Sequence, residues 1–132
     1  MTVETVRDAM VPEPTTLAAG ASAQEAGRCL ADSRDVRAIF VTEEDGRLLG
    51  VVTRKTLVRE VVAAGLDPRA VELREIAEPP HFTLDAGLEL ENAYRFLEEQ
   101  DLERVPVVEE GRLVGVLSRA VVQRRLAEDE AL

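Results

Sequence analysis

Residues 46–54, Gly-Arg-Leu-Leu-Gly-Val-Val-Thr-Arg, decide the fold because residues 111–119 repeat them as Gly-Arg-Leu-Val-Gly-Val-Leu-Ser-Arg. Six of the nine positions are identical, and the other three exchange one aliphatic or hydroxyl side chain for another. Each copy is a turn glycine followed by an aliphatic strand and then by a hydroxyl residue. Self-similarity at a spacing of 65 residues predicts a fold that uses one supersecondary unit twice.

The flanking sequence extends the repeat over the whole chain. Residues 16–20, Thr-Leu-Ala-Ala-Gly, correspond to residues 83–87, Thr-Leu-Asp-Ala-Gly, at a spacing of 67. Between the copies, Gly65 suits the end of a helix and Pro68 cannot continue one. The predicted repeats are therefore residues 1–66 and 67–132, with an acidic C-terminal tail from about residue 128.

Each copy has the pattern of a strand, a helix, two strands and a second helix. In the first copy, Ser22 and Glu25 form a capping box that opens a helix. Residues 38–42 and 48–52 are strand-like, and a helix begins at Thr53. The second copy repeats this order, with strands at residues 105–108 and 113–117. We predict an α/β (α+β) fold of two β-α-β-β-α repeats related by a pseudo-twofold axis and packed as one compact module.

Composition excludes several classes of function. The net charge of −10 repels phosphate backbones, so we expect no nucleic-acid partner. Cys29 and His81 are single residues of their types, which argues against a disulfide, a Cys/His zinc site and a Cys-His nucleophile pair. Paired carboxylates fit a solvated surface, so no catalytic residue is predicted and we expect no enzyme activity. Without an apolar run of about 18 residues or a signal peptide, we expect a cytoplasmic protein that binds no membrane.

Residues 104–108, Arg-Val-Pro-Val-Val, then a glycine turn and residues 111–117 ahead of Ser118, resemble the CBS (cystathionine-β-synthase) domain. Residues 37–53 resemble the same unit. Two such units resemble a Bateman module, which implies a non-catalytic regulatory pair that senses an adenosyl ligand in the cleft between its repeats. The implied ligands are AMP, ATP or S-adenosylmethionine, no cofactor is required, and the resemblance also implies a homodimer.

Two hydroxyl residues are the candidates for contact with a phosphate. Thr53 and Ser118 each stand where a strand ends and a helix begins, a position whose free backbone N–H groups attract anions. Arg54, Lys55 and Arg119 follow them and supply positive charge. The alternative is structural, because Ser and Thr commonly cap helices and basic side chains are commonly solvated.

The resemblance adds residues on the strands to this candidate site. The full set of candidate ligand-binding residues is Thr16, Arg37, Ala38, Ile39, Thr53, Arg54, Lys55, Thr56, Thr83, Arg104, Val105, Pro106, Ser118 and Arg119. Phe40 belongs to the segment that lies against the base in similar modules, where it either fills the pocket or stacks on the ligand.

Similar modules also place a carboxylate three residues after the hydroxyl, on the ribose. The matching residues here are Thr56 and Val121, which lack a carboxylate. Losing such charge-assisted hydrogen bonds weakens a ribonucleotide about ten-fold to a hundred-fold. Thr56 can still make one or two hydroxyl hydrogen bonds and Val121 can make none, so the Val121 half is the poorer pocket. This double loss favours the competing hypothesis, a structural dimerisation or docking module whose ligand pockets have decayed.

Apolar helix positions support the homodimer independently. Val58, Val62 and Val121 lie on predicted helices at positions that the internal core does not need, and twofold association would cover them. The sequence identifies no separate effector protein that the module would regulate.

Overall fold

The protein is described by a computed structural model, which covers residues 3–12 and 14–130, with side chains up to residue 128. The chain forms two compact units. We call Thr15–Pro80 the first-repeat unit, and Met1–Pro14 together with His81–Leu132 the second-repeat unit. Along the chain the elements are α1 (Val6–Ala9), β1 (Val11–Pro12), β2 (Thr16–Ala18), α2 (Ala23–Asp32), β3 (Ala38–Thr42), β4 (Leu48–Thr53), α3 (Arg54–Leu57), a π-helical turn (Val58–Val62), α4 (Leu73–Ile76), β5 (Leu84–Asp85), α5 (Leu90–Glu99), β6 (Arg104–Glu109), β7 (Arg112–Ser118) and α6 (Arg119–Glu130).

The first-repeat unit is a three-stranded sheet in the order β2-β3-β4 with helices packed on it. β2 runs parallel to β3, and β3 and β4 form an antiparallel hairpin in which Ala38 lies opposite Thr53. α2 begins as predicted at Ser22, whose hydroxyl accepts a hydrogen bond from the Glu25 N–H at 3.2 Å. The core contains Ala19, Ala23, Ala26, Leu30, Ile39, Val41, Val52, Val61, Val71, Leu73 and Ile76.

The second-repeat unit has a four-stranded sheet in the order β1-β7-β6-β5. Its β6–β7 hairpin matches the β3–β4 hairpin, with Arg104 opposite Ser118. Both hairpin turns use a glycine with positive φ, Gly46 at 89° and Gly111 at 81°, which L side chains rarely adopt. The core contains Val6, Ala9, Leu84, Ala86, Leu90, Ala93, Leu97, Val105, Val107, Leu117 and Val122.

The first residues of each predicted repeat bond to the rest of the other repeat. The Val6 N–H donates to the Leu88 carbonyl at 2.9 Å, and the Leu73 N–H donates to the Ala21 carbonyl at 2.9 Å. Val11 pairs with Val116 on β7. These backbone hydrogen bonds explain why the compact units end at Pro14 and Pro80, whereas the repeats predicted from sequence divide at residues 66 and 67. The division at 66 and 67 remains a prediction about the duplicated sequence.

Two glycines allow this close packing of backbone on backbone. A Cβ on Gly50 would lie 2.6 Å from the Glu78 carbonyl oxygen, and a Cβ on Gly115 would lie 2.8 Å from the Val11 carbonyl oxygen. Both positions therefore require glycine for a steric reason, and both glycines belong to the repeated nine-residue sequence.

The α/β class with two copies of the β-α-β-β-α unit is confirmed. Strand β3 occupies the predicted residues 38–42, and β4, β6 and β7 each extend the prediction by one or two residues. Four short features were not predicted, namely α1, β1, α4 and the π-helical turn. No helix in residues 3–12 and 14–130 has the length and apolarity needed to cross a membrane.

Candidate functional site

Thr53 and Thr56 form a closed pair of hydrogen bonds at the start of α3. We call residues 53–56 the first junction. The Thr53 Oγ1 accepts from the Thr56 N–H at 3.2 Å, and the Thr53 N–H donates to the Thr56 Oγ1 at 3.1 Å. The two hydroxyl oxygens are 3.0 Å apart, also within hydrogen-bond distance. Thr56 is only 1% exposed, so its hydroxyl is a buried partner of Thr53 rather than a surface group.

Arg54 turns back to the end of α2. Its guanidinium donates to the backbone carbonyls of Leu30, Ser33 and Val36, the last two at 3.1 Å. The Leu30 and Ser33 carbonyls lie at the end of α2, where the last oxygens lack partners within the helix, and Val36 lies in the connection to β3. The three hydrogen bonds of Arg54 thus go to neutral groups, and none of the carboxylates in residues 3–12 and 14–128 forms a salt bridge with it. Lys55 is exposed beside it.

Ser118 and Arg119 occupy the matching position after β7, with different contacts. We call residues 118–121 the second junction. The Arg119 guanidinium lies 3.1 Å from the Asp101 carboxylate and 3.9 Å from that of Glu103. The hydrogen bond to Asp101 is the main reason why the pKa of Arg119 is raised above its ordinary value, with a further contribution from the charge of Glu103. The second junction therefore carries an ion-paired arginine, whereas the first carries an arginine bound to neutral carbonyls.

The second junction also lacks the reciprocal hydroxyl pair. Val121 is half-buried and stands where the first junction has Thr56. Ser118 is half-buried as well, and its hydroxyl makes no hydrogen bond with another residue in the described ranges. A free hydroxyl can both donate and accept, so the second junction offers less directional binding than the first.

The strand candidates divide between surface and core. Ile39 and Val105 are 0% and 2% exposed and belong to the two hydrophobic cores, so their side chains are not surface groups. Phe40 and Pro106 point to the opposite face of their strands, where both are buried as well. Ala38 is half-buried.

Arg37 and Arg104 are each the basic residue at or just before the start of a hairpin strand, but the sheet register shows that they do not occupy equivalent positions. Ala38 lies opposite Thr53, and Arg104 lies opposite Ser118, so Arg104 corresponds to Ala38. Glu103, one residue earlier, then corresponds to Arg37. Arg37 and Arg104 are both exposed.

The two threonines on the first strand of each repeat lie on the surface. Thr16 is exposed at the start of β2 and pairs with Phe40 on β3, while Thr83 is exposed just before β5. The structure thus brings Ala38 together with Thr53 across one hairpin, and Arg104 together with Ser118 across the other.

Asp101 and Glu103 are site residues that the sequence did not reveal. Asp101 has a positive φ of 53°, and both acids lie in the short connection between α5 and β6. Carboxylates are common in surface turns, so the sequence does not distinguish Asp101 and Glu103 from other acidic turn residues. Their ion pairs with Arg119 become visible only in the structure.

Outside the two junctions, metal-ligand groups and surface grooves are the other features that could form a site. In the described ranges 3–12 and 14–128, there is no group of three His, Cys, Asp or Glu residues that could hold a metal ion. A groove of about 760 Å³ runs along the second-repeat unit between α5 and α6, lined by Glu91, Tyr94, Arg95, Glu98, Gln123, Leu126 and Ala127.

Comparison with known proteins identifies the repeated unit. A model of the CBS domain matches residues 6–63 and again residues 73–128. The chain belongs to the CBS domain family. It contains two CBS domains in tandem.

Relatives of known sequence and structure agree with this assignment. The chain is 35% identical over 94 residues to Hypoxic response protein 1 of Mycobacterium tuberculosis. The aligned region covers 71% of this chain and 66% of that protein, just under two thirds of its length. A crystal structure of Hypoxic Response Protein I with two coordinated zinc ions superposes with a TM-score of 0.75 at 30% identity, covering 92% of this chain and 98% of that one.

A second solved structure at 30% identity is the cytosolic domain of the Mg²⁺ channel MgtE in complex with ATP. It superposes with a TM-score of 0.68 and covers 88% of this chain and 46% of that one. The fold of this chain thus matches nearly all of one solved chain and about half of a longer one.

Proposed function

We propose that this CBS pair is a regulatory module that binds an adenine nucleotide or a related adenosyl ligand, and that the first junction contacts its phosphate. The single observation that carries the proposal is the Thr53–Thr56 pair beside Arg54 and Lys55, because it combines an oriented hydroxyl with positive charge. The MgtE domain, described as an ATP complex, supports this class of ligand at 30% identity.

The candidate residues receive separate roles in this proposal. Thr53 and Lys55 contact the phosphate, and Arg54 holds the strand-to-helix connection by its three carbonyl contacts. Ala38 lies opposite Thr53 and borders the ligand in the first-repeat unit, and Arg104 has the equivalent place opposite Ser118 in the second-repeat unit. Thr16, Arg37 and Thr83 are exposed candidate contacts. Ile39, Val105 and Pro106 contribute backbone and shape rather than polar contacts.

A thermal-shift panel tests the proposal directly. AMP, ATP, NAD and S-adenosylmethionine should each be compared with buffer, because a ligand present at 100 times its dissociation constant stabilises the folded state by about 2.7 kcal/mol. We expect a shift with at least one of these adenosyl compounds. If none shifts the melting temperature at millimolar concentration, the competing function as a docking module is favoured.

Exposed apolar residues favour that second candidate, a dimerisation module. Val58 is 57% exposed and Val62 is 71% exposed, on the π-helical turn, and Leu66 follows at 50%. We propose that a second copy of the chain covers this surface, which would make the protein a homodimer. Val121, the third residue predicted for this contact, is half-buried.

Sedimentation velocity separates the two states of association. Wild type should sediment as a dimer at micromolar concentration, and Val62→Glu should shift it to the monomer because the new charge would be buried at the contact. Arg47→Glu, at an exposed hairpin turn of the same unit, is the matched control. A wild-type monomer would contradict the homodimer without affecting the ligand proposal.

A further inference from the structure

The first-repeat unit carries a row of exposed aliphatic side chains on its last helical segment. Val58 and Val62 stand four residues apart on the π-helical turn, and Leu66 follows four residues later. We call these three residues the outer stripe. Val61, beside Val62 in sequence, is buried in the core of the same unit, so the segment is apolar on an inner and on an outer side. Exposed apolar residues grouped in this way mark an interaction surface.

The second-repeat unit carries a groove whose shape is complementary to such a row. The groove lies between α5 and α6 and has a volume of about 760 Å³. Its lining combines the half-buried side chains of Tyr94 and Leu126 with the polar side chains of Glu91, Glu98 and Gln123. A ridge of side chains on one helix packs into a groove on another, whereas two ridges or two grooves fit each other poorly.

Local charge favours the same pairing of stripe and groove. Residues 54–66 contain three cations and one carboxylate, and Glu78 pairs with Arg59, which leaves a net charge of +1 on this segment. α5 contains three glutamates and one arginine, a net charge of −2, and α6 contains three cations and three carboxylates. The stripe thus lies on a cationic segment and the groove on an anionic pair of helices, so the two surfaces attract each other.

The net charges of the two units disfavour contact between like units. Residues 15–80 hold 11 acidic and 9 basic residues, a net charge of −2. Residues 1–14 and 81–132 hold 15 acidic and 7 basic residues, a net charge of −8. Because repulsion scales with the product of the charges, a second-repeat unit is repelled about four-fold less by a first-repeat unit than by another second-repeat unit.

We infer that the outer stripe of one copy of the chain binds in the α5–α6 groove of a second copy, so that the contact joins unlike units. This inference rests on the homodimer proposed above and adds which surface of the second copy covers Val58, Val62 and Leu66. The alternative is a contact between like surfaces, with stripe on stripe or groove on groove.

Cross-linking of introduced cysteines tests which surfaces meet. In a Cys29→Ala background, a chain with Val62→Cys and a chain with Gln123→Cys are co-expressed and treated with a short bis-maleimide. We expect covalent dimers from the co-expressed pair, and none above the background level from either chain expressed alone. In the control, Arg47→Cys replaces Val62→Cys at an exposed hairpin turn of the same unit and should give no covalent dimer.

Opposite charges at the stripe provide a second measurement that needs no cysteine. Val62→Glu and Val62→Lys both place a charge in the contact, but the anionic groove should repel the glutamate more strongly than the lysine. We therefore expect sedimentation velocity to show weaker dimerisation for Val62→Glu than for Val62→Lys. Equal weakening by the two variants would contradict the groove as the binding surface.

The cross-linking result also separates this inference from the homodimer itself. Covalent dimers of the Val62→Cys chain alone would mean that two stripes meet, which overturns the inference and leaves the homodimer intact. The same conclusion follows if the background chain sediments as a dimer but no combination cross-links. If the wild type sediments as a monomer, the homodimer fails and the contact between stripe and groove fails with it.

Discussion

The first and second junctions share a backbone and differ in chemistry. Both place a hydroxyl at the end of a hairpin strand and an arginine directly after it, and both need a glycine three residues before the hydroxyl. Yet Arg54 binds carbonyls whereas Arg119 binds carboxylates, and Thr56 is replaced by Val121. The two copies have thus kept the glycines that let a backbone segment pack closely on each hairpin. The residues that determine charge and hydrogen bonding differ between them.

The largest expected effects test the shared part of this comparison. Gly50→Ala and Gly115→Ala should each lower the free energy of unfolding by about 1–3 kcal/mol, because the new Cβ would overlap a backbone carbonyl and force the chain to shift. Gly20→Ala is the control, since its Cβ would meet only ordinary contacts at 3.6 Å and beyond. Urea denaturation measures all three, and a stable Gly50→Ala variant would refute the steric requirement.

The exchange of Thr56 and Val121 tests the hydroxyl pair. Thr56→Val should cost about 1–2 kcal/mol, because it leaves the Thr53 N–H without its partner inside a part-buried site. Val121→Thr should be neutral or slightly stabilising, because it offers Ser118 the same reciprocal pair. Thermal and urea unfolding of the two variants should therefore move in opposite directions. Unchanged stability in Thr56→Val would mean that the hydroxyl pair contributes nothing.

The two arginines should differ in their response to salt. Arg54→Ala removes three hydrogen bonds to backbone carbonyls at and after the end of α2 and should cost about 1–2 kcal/mol, a value reduced by the exposure of the side chain. At low salt, Arg119→Ala should lower the free energy of unfolding by less than Arg54→Ala does. Its effect should shrink further in 1 M NaCl, where the screening length is about 3 Å. A loss at Arg119 that is independent of salt would contradict the ion-paired description of the second junction.

The smallest effect is expected in the connection between the repeats, outside both junctions. The hydrogen bond from the Arg69 backbone N–H to Asp67, followed by that from the Arg69 side chain, lowers the pKa of Asp67 below its ordinary value. A depressed pKa in the folded state means stability that is present above the unfolded pKa and is lost as the pH falls through the folded one. Asp67→Asn should be slightly less stable than wild type at pH 7, with no difference at about pH 2. A difference that persists at low pH would mean that the charge is not responsible.

The hairpins could be predicted from sequence because their signal is local. Residues 38–42 and 46–54 combine aliphatic strands with a glycine turn, and the second copy confirms each assignment. α1 and α4 have four residues each, too few to show helical periodicity, and the π-helical turn continues α3 without a change in composition. These elements depend on contacts with distant segments, such as that of Leu73 with Ala21.

The candidate site was predictable in position but not in hydrogen bonding. A hydroxyl after an aliphatic strand identified Thr53 and Ser118 as residues at strand ends. The partners of Arg54 are backbone carbonyls, which every residue has, so no residue type could indicate them. Burial of Thr56 at 1% exposure likewise follows from the packing of α3 on the sheet rather than from its neighbours in sequence.

Backbone amide shifts in two-dimensional NMR spectra, recorded while AMP is added, test the central claim most directly because they report each junction separately. The account predicts saturable shifts for Thr53, Arg54 and Lys55, with smaller changes at these residues when adenosine is added instead. Saturable shifts confined to Ser118 and Arg119, or no saturable shift at millimolar AMP, would contradict it.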